Sequence, residues 1–254
     1  EQIAATLTSR VAVALGRYES DVASDSLPAV FERVLLAGAN DTTLGYGQRK
    51  SQLDALIRAA RSPAALARLD AWLDADSAAG LPLRAPTRWA IVTRLTAAAH
   101  PRAVERRLAE TVRDSTSEGR RLAFVAGAAV PGAATKQAYY TRWFTDSTLN
   151  EEWVTSSLRA FHDPEQAALT QQYVVPSLDT LPWIQKNRRI FFLGAWLSAA
   201  IGGQNSAESL RQIDAWLAAH PLLGADLRRK VLQSRDELER TVRIRALFVR
   251  NSST

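Results

Sequence analysis

Three histidines are the side chains of this chain best suited to bind a metal, but their spacing argues against a metal site. His100, His162 and His220 are dispersed along the sequence, and none shares a helical face with another. A hydrolytic zinc site on a helix needs two histidines four residues apart and a third ligand further along the chain. The chain also has no cysteine, which excludes thiolate ligands, disulfides and a cysteine nucleophile. We therefore predict no catalytic residue and no metal ligand in this chain.

Other catalytic motifs are missing as well. The sequence contains no Gly-x-Ser-x-Gly turn and no Gly-rich loop that follows a strand and could cradle a phosphate. The paired acids Glu151 and Glu152 follow Asn150, where a helix is expected to begin. Acidic residues favour the helix dipole at that position, so this pair is explained without catalysis.

Two clusters of basic residues are candidates for binding an anionic group such as a peptide carboxylate. Arginine suits this task because its planar guanidinium can donate two parallel hydrogen bonds. The alternative is that these long side chains reach into solvent from the exposed side of buried helices. The candidate substrate-binding residues, of which the first four share one segment, are Trp183, Lys186, Arg188, Arg189, Arg120 and Arg121.

The segment that holds the first cluster also contains a predicted helix start. Pro182 fits the first turn of a helix, where its missing N–H costs nothing. The apolar run Ile190, Phe191 and Phe192 is expected to belong mainly to the core, which would leave the basic side chains available to solvent or to a carboxylate.

A second basic region lies near the end of the chain. The chain carries a net charge of +6, and residues 226–250 contain seven Arg and one Lys against two Asp and two Glu. A basic helix can bind nucleic acid, acidic lipid or an acidic partner. The simpler interpretation, a solvated face on an arginine-rich protein, is the one we prefer, and nucleic acid is an unlikely partner.

The elements that carry these residues are predicted to be helices almost throughout. Apolar residues recur three to four positions apart, which is typical of one face of a helix, and no run of strict alternation indicates a sheet. Helix boundaries are marked by Ser62-Pro63 and Asp163-Pro164 as starts, and by the His-Pro pairs, Gly80, Gly119, Gly132 and Gly202-Gly203 as stops. The core stripes are Leu66, Leu69, Trp72 and Leu73; Leu210, Ile213, Trp216 and Leu217; and Leu227, Val231, Leu238, Val242 and Phe248.

A weak internal repeat favours a stacked architecture. The five residues from Leu69 to Leu73 recur as Ile213 to Leu217, and an Arg-bearing helix follows each copy. Loosely repeated helix pairs are typical of an α-solenoid. We predict an all-α fold, a right-handed α-α superhelix of HEAT-like or armadillo-like helix pairs, in a single domain over residues 1–254. Most of the seven tryptophans are expected in the core, with Trp183 as the exception.

No apolar run approaches the roughly 20 residues of a membrane span. The first residues also lack the basic and apolar regions of a secretory signal. We therefore expect no membrane partner and a cytoplasmic location.

The order of several short motifs resembles the C-terminal helical, ERAP-like domain of zinc aminopeptidases of the aminopeptidase N family. The resemblance covers roughly residues 21–248, although before Pro86 it depends on the helical pattern alone. The motifs are Thr87–Leu95, Arg113–Gly119, Ala129–Pro131 followed by Lys136, Phe161–Gln166, Leu181–Trp183 and Asp226–Val231.

This resemblance implies a non-catalytic domain of a larger metallo-aminopeptidase. In that family a zinc domain with an H-E-x-x-H motif removes N-terminal residues, and the helical domain caps the cleft and encloses the peptide. This chain lacks both that motif and Gly-x-Met-Glu-Asn, so we expect it to be inactive alone, with zinc in the catalytic domain. The implied partners are that domain of the same polypeptide and the peptide substrate. The alternative is a free-standing α-solenoid interaction module that binds a partner peptide or an acidic surface.

Overall fold

The computed structural model describes residues 2–18 and 26–251, and most of them are helical, which confirms the all-α prediction. The chain divides into two compact units, residues 1–127 and 128–254. The prediction of one continuous domain stays a prediction. None of the helices in the described ranges combines the length and the apolar character that a membrane crossing needs.

The first unit contains seven α-helices and one short hairpin in its described residues. Consecutive helices contact each other, as α2 does α3 and α5 does α6, which agrees with the expected helix pairs. The helices are α1 Gln2–Val13, extended by a π-helical turn at Ala14–Tyr18, α2 Ser26–Asn40, α3 Tyr46–Ala59, α4 Pro63–Ala75, α5 Ala85–Ala97, α6 Ala103–Arg113 and α7 Ser117–Ala128.

The hairpin between α4 and α5 is a feature that the sequence pattern did not predict. Two antiparallel strands, β1 Ser77–Ala78 and β2 Leu81–Pro82, pair across Ala79 and Gly80, which both have positive φ. Two residues per strand are too few to show alternation, so a periodicity analysis cannot find them. The left-handed turn explains the Gly80 position.

The second unit is built from α8 Ala133–Thr145, α9 Glu151–Phe161, α10 Ala167–Thr170, α11 Val174–Asp179, α12 Leu181–Asn187, α13 Ile190–Ala200, α14 Ala207–Ala219 and α15 Ala225–Asn251, with 3₁₀ turns at Pro164–Gln166 and Gln171–Tyr173. Its core is aromatic. The Trp143 and Phe161 rings lie 4.7 Å apart, and Trp143 meets Trp196 edge to face at 5.7 Å. The prediction that most tryptophans are core residues is confirmed.

Most of the predicted boundaries are confirmed. Ser62 caps α4 by accepting a hydrogen bond from the Ala65 N–H, and Asn150 caps α9 by accepting one from the Trp153 N–H. The residues of the three predicted core stripes are buried or half-buried. Phe248 is the exception, because its side chain lies outside the part of the chain that the structure describes.

Gly119 is a correction, because it lies inside the first turn of α7 rather than at a helix stop. A Cβ at this position would lie 2.2 Å from the Asp114 carbonyl oxygen. The glycine therefore permits a close approach of two backbone segments, which its spacing in the sequence did not indicate.

A network of ion pairs joins α4, α5 and α6 in the first unit. The Arg106 guanidinium on α6 contacts Asp70 at 2.5 Å and Asp74 at 2.6 Å, both on α4. Arg88 on α5 donates to Glu110 on α6 at 2.8 Å, and both side chains are almost fully buried. Burial alone would raise the pKa of Asp70, but the hydrogen bonds and positive charge of Arg106, with Arg102, hold it below its usual value.

The internal repeat reproduces one part of this network. Asp70 and Asp214 occupy the same position in the two copies, and each accepts hydrogen bonds from an arginine on a later helix. Asp214 receives the Arg235 Nε–H of α15 at 2.8 Å. The repeat therefore marks a way of joining two helices, one in each unit.

A buried lysine joins two helix ends in the second unit. The Lys136 ammonium has no exposed surface and donates to the carbonyls of Ala128 and Phe161, each at 2.8 Å. Phe161 is the last residue of α9, and Ala128, the first residue of the second unit, ends α7, so the helix dipole favours a cation at both carbonyls. Burial nevertheless lowers the pKa of Lys136 to about 8.

His162 lies beside this lysine and is also buried. Burial, followed by repulsion from Lys136, lowers the pKa of His162 from 6.5 to about 3. The folded protein thus keeps this imidazole neutral over a range in which the unfolded chain protonates it.

We expect Arg106→Met to lower the free energy of unfolding by about 3 kcal/mol, because it removes one partner of a buried ion pair and leaves Asp70 inside the unit. Urea unfolding followed by circular dichroism measures the change. Arg113→Met is the control, because its pair with Asp76 is half exposed and its loss should cost less than about 1 kcal/mol. Equal losses would contradict a structural role for the buried network.

We expect the free energy of unfolding to fall as the pH drops from 6.5 toward 3, because protons then bind His162 only in the unfolded chain. His162 alone contributes a slope of about 1.4 kcal/mol per pH unit in the middle of this window. Replacement by Gln removes the titrating group. The stability difference between wild type and His162→Gln, measured by urea unfolding at each pH, should shrink on acidification, and a constant difference would contradict the assignment.

Candidate functional site

The candidate site lies where α12 ends and α13 begins. Leu181 and Ile184 are buried and anchor α12, while Pro182 occupies its first turn. Arg188 and Arg189 then have extended backbone conformations, so the chain leaves one helix and enters the next within two residues. At this junction the side chains of Lys186, Arg189 and Ile190 are exposed, whereas that of Arg188 is half-buried.

Three side chains of the junction expose large apolar surfaces. Trp183 is 46% exposed, Ile190 83% and Phe191 86%. The Phe144 ring of α8 meets Trp183 edge to face at 6.0 Å and is itself partly exposed. Exposed aromatic groups at this density are unusual on a monomeric protein surface. We call Trp183, Lys186, Arg188, Arg189, Ile190 and Phe191 the α12–α13 patch.

The expectation that Ile190 and Phe191 belong to the core is wrong. They are the first two residues of α13, and the extended backbone of Arg189 before them turns their side chains outward. Phe192, the third member of the run, is buried against Trp196 as expected. The polar break Asn187-Arg188-Arg189 was the signal in the sequence that a helix begins there rather than continues.

Arg188 supports the aromatic part of the patch. Its guanidinium lies over the Trp183 ring at 5.2 Å and over the Phe192 ring at 5.4 Å, and it donates to the Trp143 carbonyl at 3.5 Å. The side chain is half-buried. Arg188 therefore holds Trp183 in place and is less available to a ligand than its neighbours.

Lys186 and Arg189 provide the accessible positive charge. Both side chains are exposed, and neither forms an ion pair with another residue in the described ranges. The Arg189 backbone N–H donates to Glu151 at 3.2 Å, which ties the junction to the start of α9. With Arg188, the patch presents three cations near this one carboxylate, so an anionic ligand is favoured.

The second predicted cluster is less suited to binding. Arg121 forms an ion pair with Glu118 one turn before it on α7, and Arg120 donates to the Ser115 carbonyl at 2.7 Å. Both residues belong to the first unit, whereas the α12–α13 patch belongs to the second. Local partners already use much of the hydrogen-bonding capacity of these two arginines.

The histidines do not form a metal centre. His100 accepts a hydrogen bond from the Arg102 N–H at 3.3 Å, His220 stacks on Trp216 at 4.2 Å, and His162 is buried beside Lys136. Within residues 2–18 and 26–251, no three His, Asp or Glu side chains converge as metal ligands. Zinc in a catalytic domain therefore stays a prediction.

Part of the basic charge of α15 is paired with acids of α15 and α14. Asp226 pairs with Arg229 at 3.0 Å and Lys230 at 2.5 Å, and Arg235 pairs with Asp214 and Glu239. These pairs support the interpretation of a solvated, structural helix.

Comparison with known proteins places this fold in a family. Residues 4–240 match the family model of the ERAP1-like C-terminal domain. Aminopeptidase N of Streptomyces lividans is 30% identical over 248 residues, which cover 95% of this chain and 28% of that relative. The chain thus spans little more than a quarter of the length of the relative. The match covers most of both units, and the chain belongs to the family of ERAP1-like C-terminal domains.

Proposed function

We propose that this chain is the non-catalytic C-terminal domain of a zinc-dependent aminopeptidase. In this proposal it caps the catalytic cleft and encloses the peptide while N-terminal residues are removed. The family match and the name of the relative support the parent activity. The observation that supports peptide binding is the α12–α13 patch, where exposed aromatic groups lie beside the exposed cations Lys186 and Arg189.

The patch can hold the far end of a peptide through two kinds of contact. Lys186 and Arg189 donate hydrogen bonds to the terminal carboxylate, for which charge-assisted bonds are the stronger class. Trp183, Ile190 and Phe191 offer apolar surface to the peptide beside it. Arg188 acts as a positioning residue, since it holds the Trp183 ring.

Such binding far from the scissile bond would act on affinity and placement rather than on chemistry. Zinc in the catalytic domain would polarise the peptide carbonyl and activate water. The residues of this chain would orient the peptide and keep its tail from leaving the cleft.

In the intact enzyme, we expect Lys186→Ala combined with Arg189→Ala to raise KM about tenfold for peptides with a free carboxyl terminus, because two charge-assisted hydrogen bonds are lost. Peptides with an amidated terminus should show little change, since they lack the anion. Steady-state kinetics on matched free and amidated peptides measures the difference.

The matched control is Arg229→Ala combined with Lys230→Ala, which removes the same charge from α15, where both residues pair with Asp226. This control should leave both peptides unaffected. If both double variants change KM equally, the effect is one of net charge, and if neither does, the α12–α13 patch is a solvated face.

The isolated chain should not hydrolyse an aminoacyl chromogenic substrate, with or without added zinc, because its described residues provide no metal site. The measurement is the rate of chromophore release above the blank. Zinc-dependent turnover by the purified chain would overturn the non-catalytic role.

A further inference from the structure

Helix α6 buries charged side chains and exposes apolar ones, which is the reverse of an ordinary surface helix. Its buried side includes Arg106 and Glu110, whereas Val104 and Leu108 are each 62% exposed and Val112 is 82% exposed. These three apolar residues are spaced four apart, so they form one line along the outer face. We call them the α6 stripe. A surface helix normally buries its apolar face and exposes its charges.

The inward direction of the charges explains how α6 is held without its apolar face. Arg106 binds Asp70 and Asp74 of α4, and Glu110 binds Arg88 of α5. These contacts fix the rotation of the helix, because turning the stripe inward would break each of them and leave buried charges unpaired. The outward position of the stripe is therefore a consequence of the fold rather than of a loose helix.

Two of the charged side chains beside the stripe are paired, and a third, Arg107, is half-buried. Glu105 and Arg113, which flank the stripe, pair with Arg102 at 2.8 Å and with Asp76 at 2.9 Å. A partner that covers the stripe would meet three apolar side chains and few unsatisfied ions. This pattern of anchors one turn apart is typical of a helix that packs into an apolar groove.

We infer that the α6 stripe packs against the part of the longer polypeptide that lies outside this domain. This inference rests on the proposed function. The chain covers 28% of the relative, so most of such a polypeptide is available as a partner. A covalently linked partner is present at high effective concentration, so a stripe of three residues can suffice for a stable contact. The surface that receives it is expected to be apolar and to carry few charges.

Thiol labelling tests this contact directly, because the chain has no cysteine of its own. Leu108→Cys is made both in the 254-residue chain and in the intact longer polypeptide, and modification of the peptide that contains residue 108 is followed by mass spectrometry. We expect labelling to be about tenfold slower or more in the longer polypeptide, because interface cores exclude water. Equal labelling rates in the two proteins would overturn the inference.

Leu222→Cys is the matched control, since Leu222 is 96% exposed in the turn between α14 and α15. It should label at the same rate in both proteins. Labelling of Leu108→Cys is also measured over a range of concentrations of the 254-residue chain. Protection that grows with concentration in the chain alone would assign the stripe to a second copy and overturn the inference.

A second variant separates docking from folding. Leu108→Asp should leave the thermal unfolding of the 254-residue chain unchanged, because the side chain is exposed there, but should lower the unfolding temperature of the longer polypeptide. Equal effects in the two proteins would overturn the inference. The peptide kinetics of the α12–α13 patch are independent of this result, so a failure of either proposal is recognised separately.

Discussion

The contact on which the first unit depends is the Asp–Arg pairing between α4 and α6. Arg106 reaches two carboxylates on α4, and the Arg88–Glu110 pair adds α5 to the same network. Buried ion pairs contribute little net stability compared with apolar packing, but they have strict geometric requirements. Their main effect here is to fix the rotation of α6 about its axis. That rotation determines which side chains of the helix are exposed.

In the second unit a single lysine side chain joins two helix ends. Lys136 satisfies the last carbonyls of α7 and α9, and the Gln166 amide donates to Ala129 at 2.9 Å beside it. Four of the motifs that carry the family resemblance meet at such places. Trp89 donates to Asp114 in the first unit, and Lys136 joins two further motifs in the second. These four motifs therefore mark how helices are joined, whereas the motif Leu181–Trp183 contributes Trp183 to the α12–α13 patch.

The difference between local and tertiary signals explains which features could be predicted from the sequence. Helical periodicity and capping residues predicted the helices and most of their ends, because both signals are local. The sequence did not predict that Gly119 lies inside a helix, because its role is set by the tight turn between α6 and α7, where the Asp114 carbonyl comes close to it. It also placed Ile190 and Phe191 in the core, since an apolar run carries no sign of which turn of a helix faces outward. The basic residues of the candidate site were recognisable by type, but only the fold separates Arg188, which supports a ring, from Lys186 and Arg189, which remain exposed.

The α12–α13 patch and the α6 stripe both expose large apolar side chains, but their chemistry differs. The α12–α13 patch combines exposed rings with cations that lack ionic partners, which suits a ligand that is anionic and arrives and leaves. The α6 stripe is apolar, and Glu105 and Arg113 beside it are paired, which suits a permanent neighbour, since obligate interfaces are the more apolar class. A domain that only bound peptides would have no reason to expose the stripe, and one that only packed against a neighbour would have no reason to leave Lys186 and Arg189 unpaired. Both surfaces fit the proposed accessory role, which would require the domain to attach to an enzyme and also to meet its substrate.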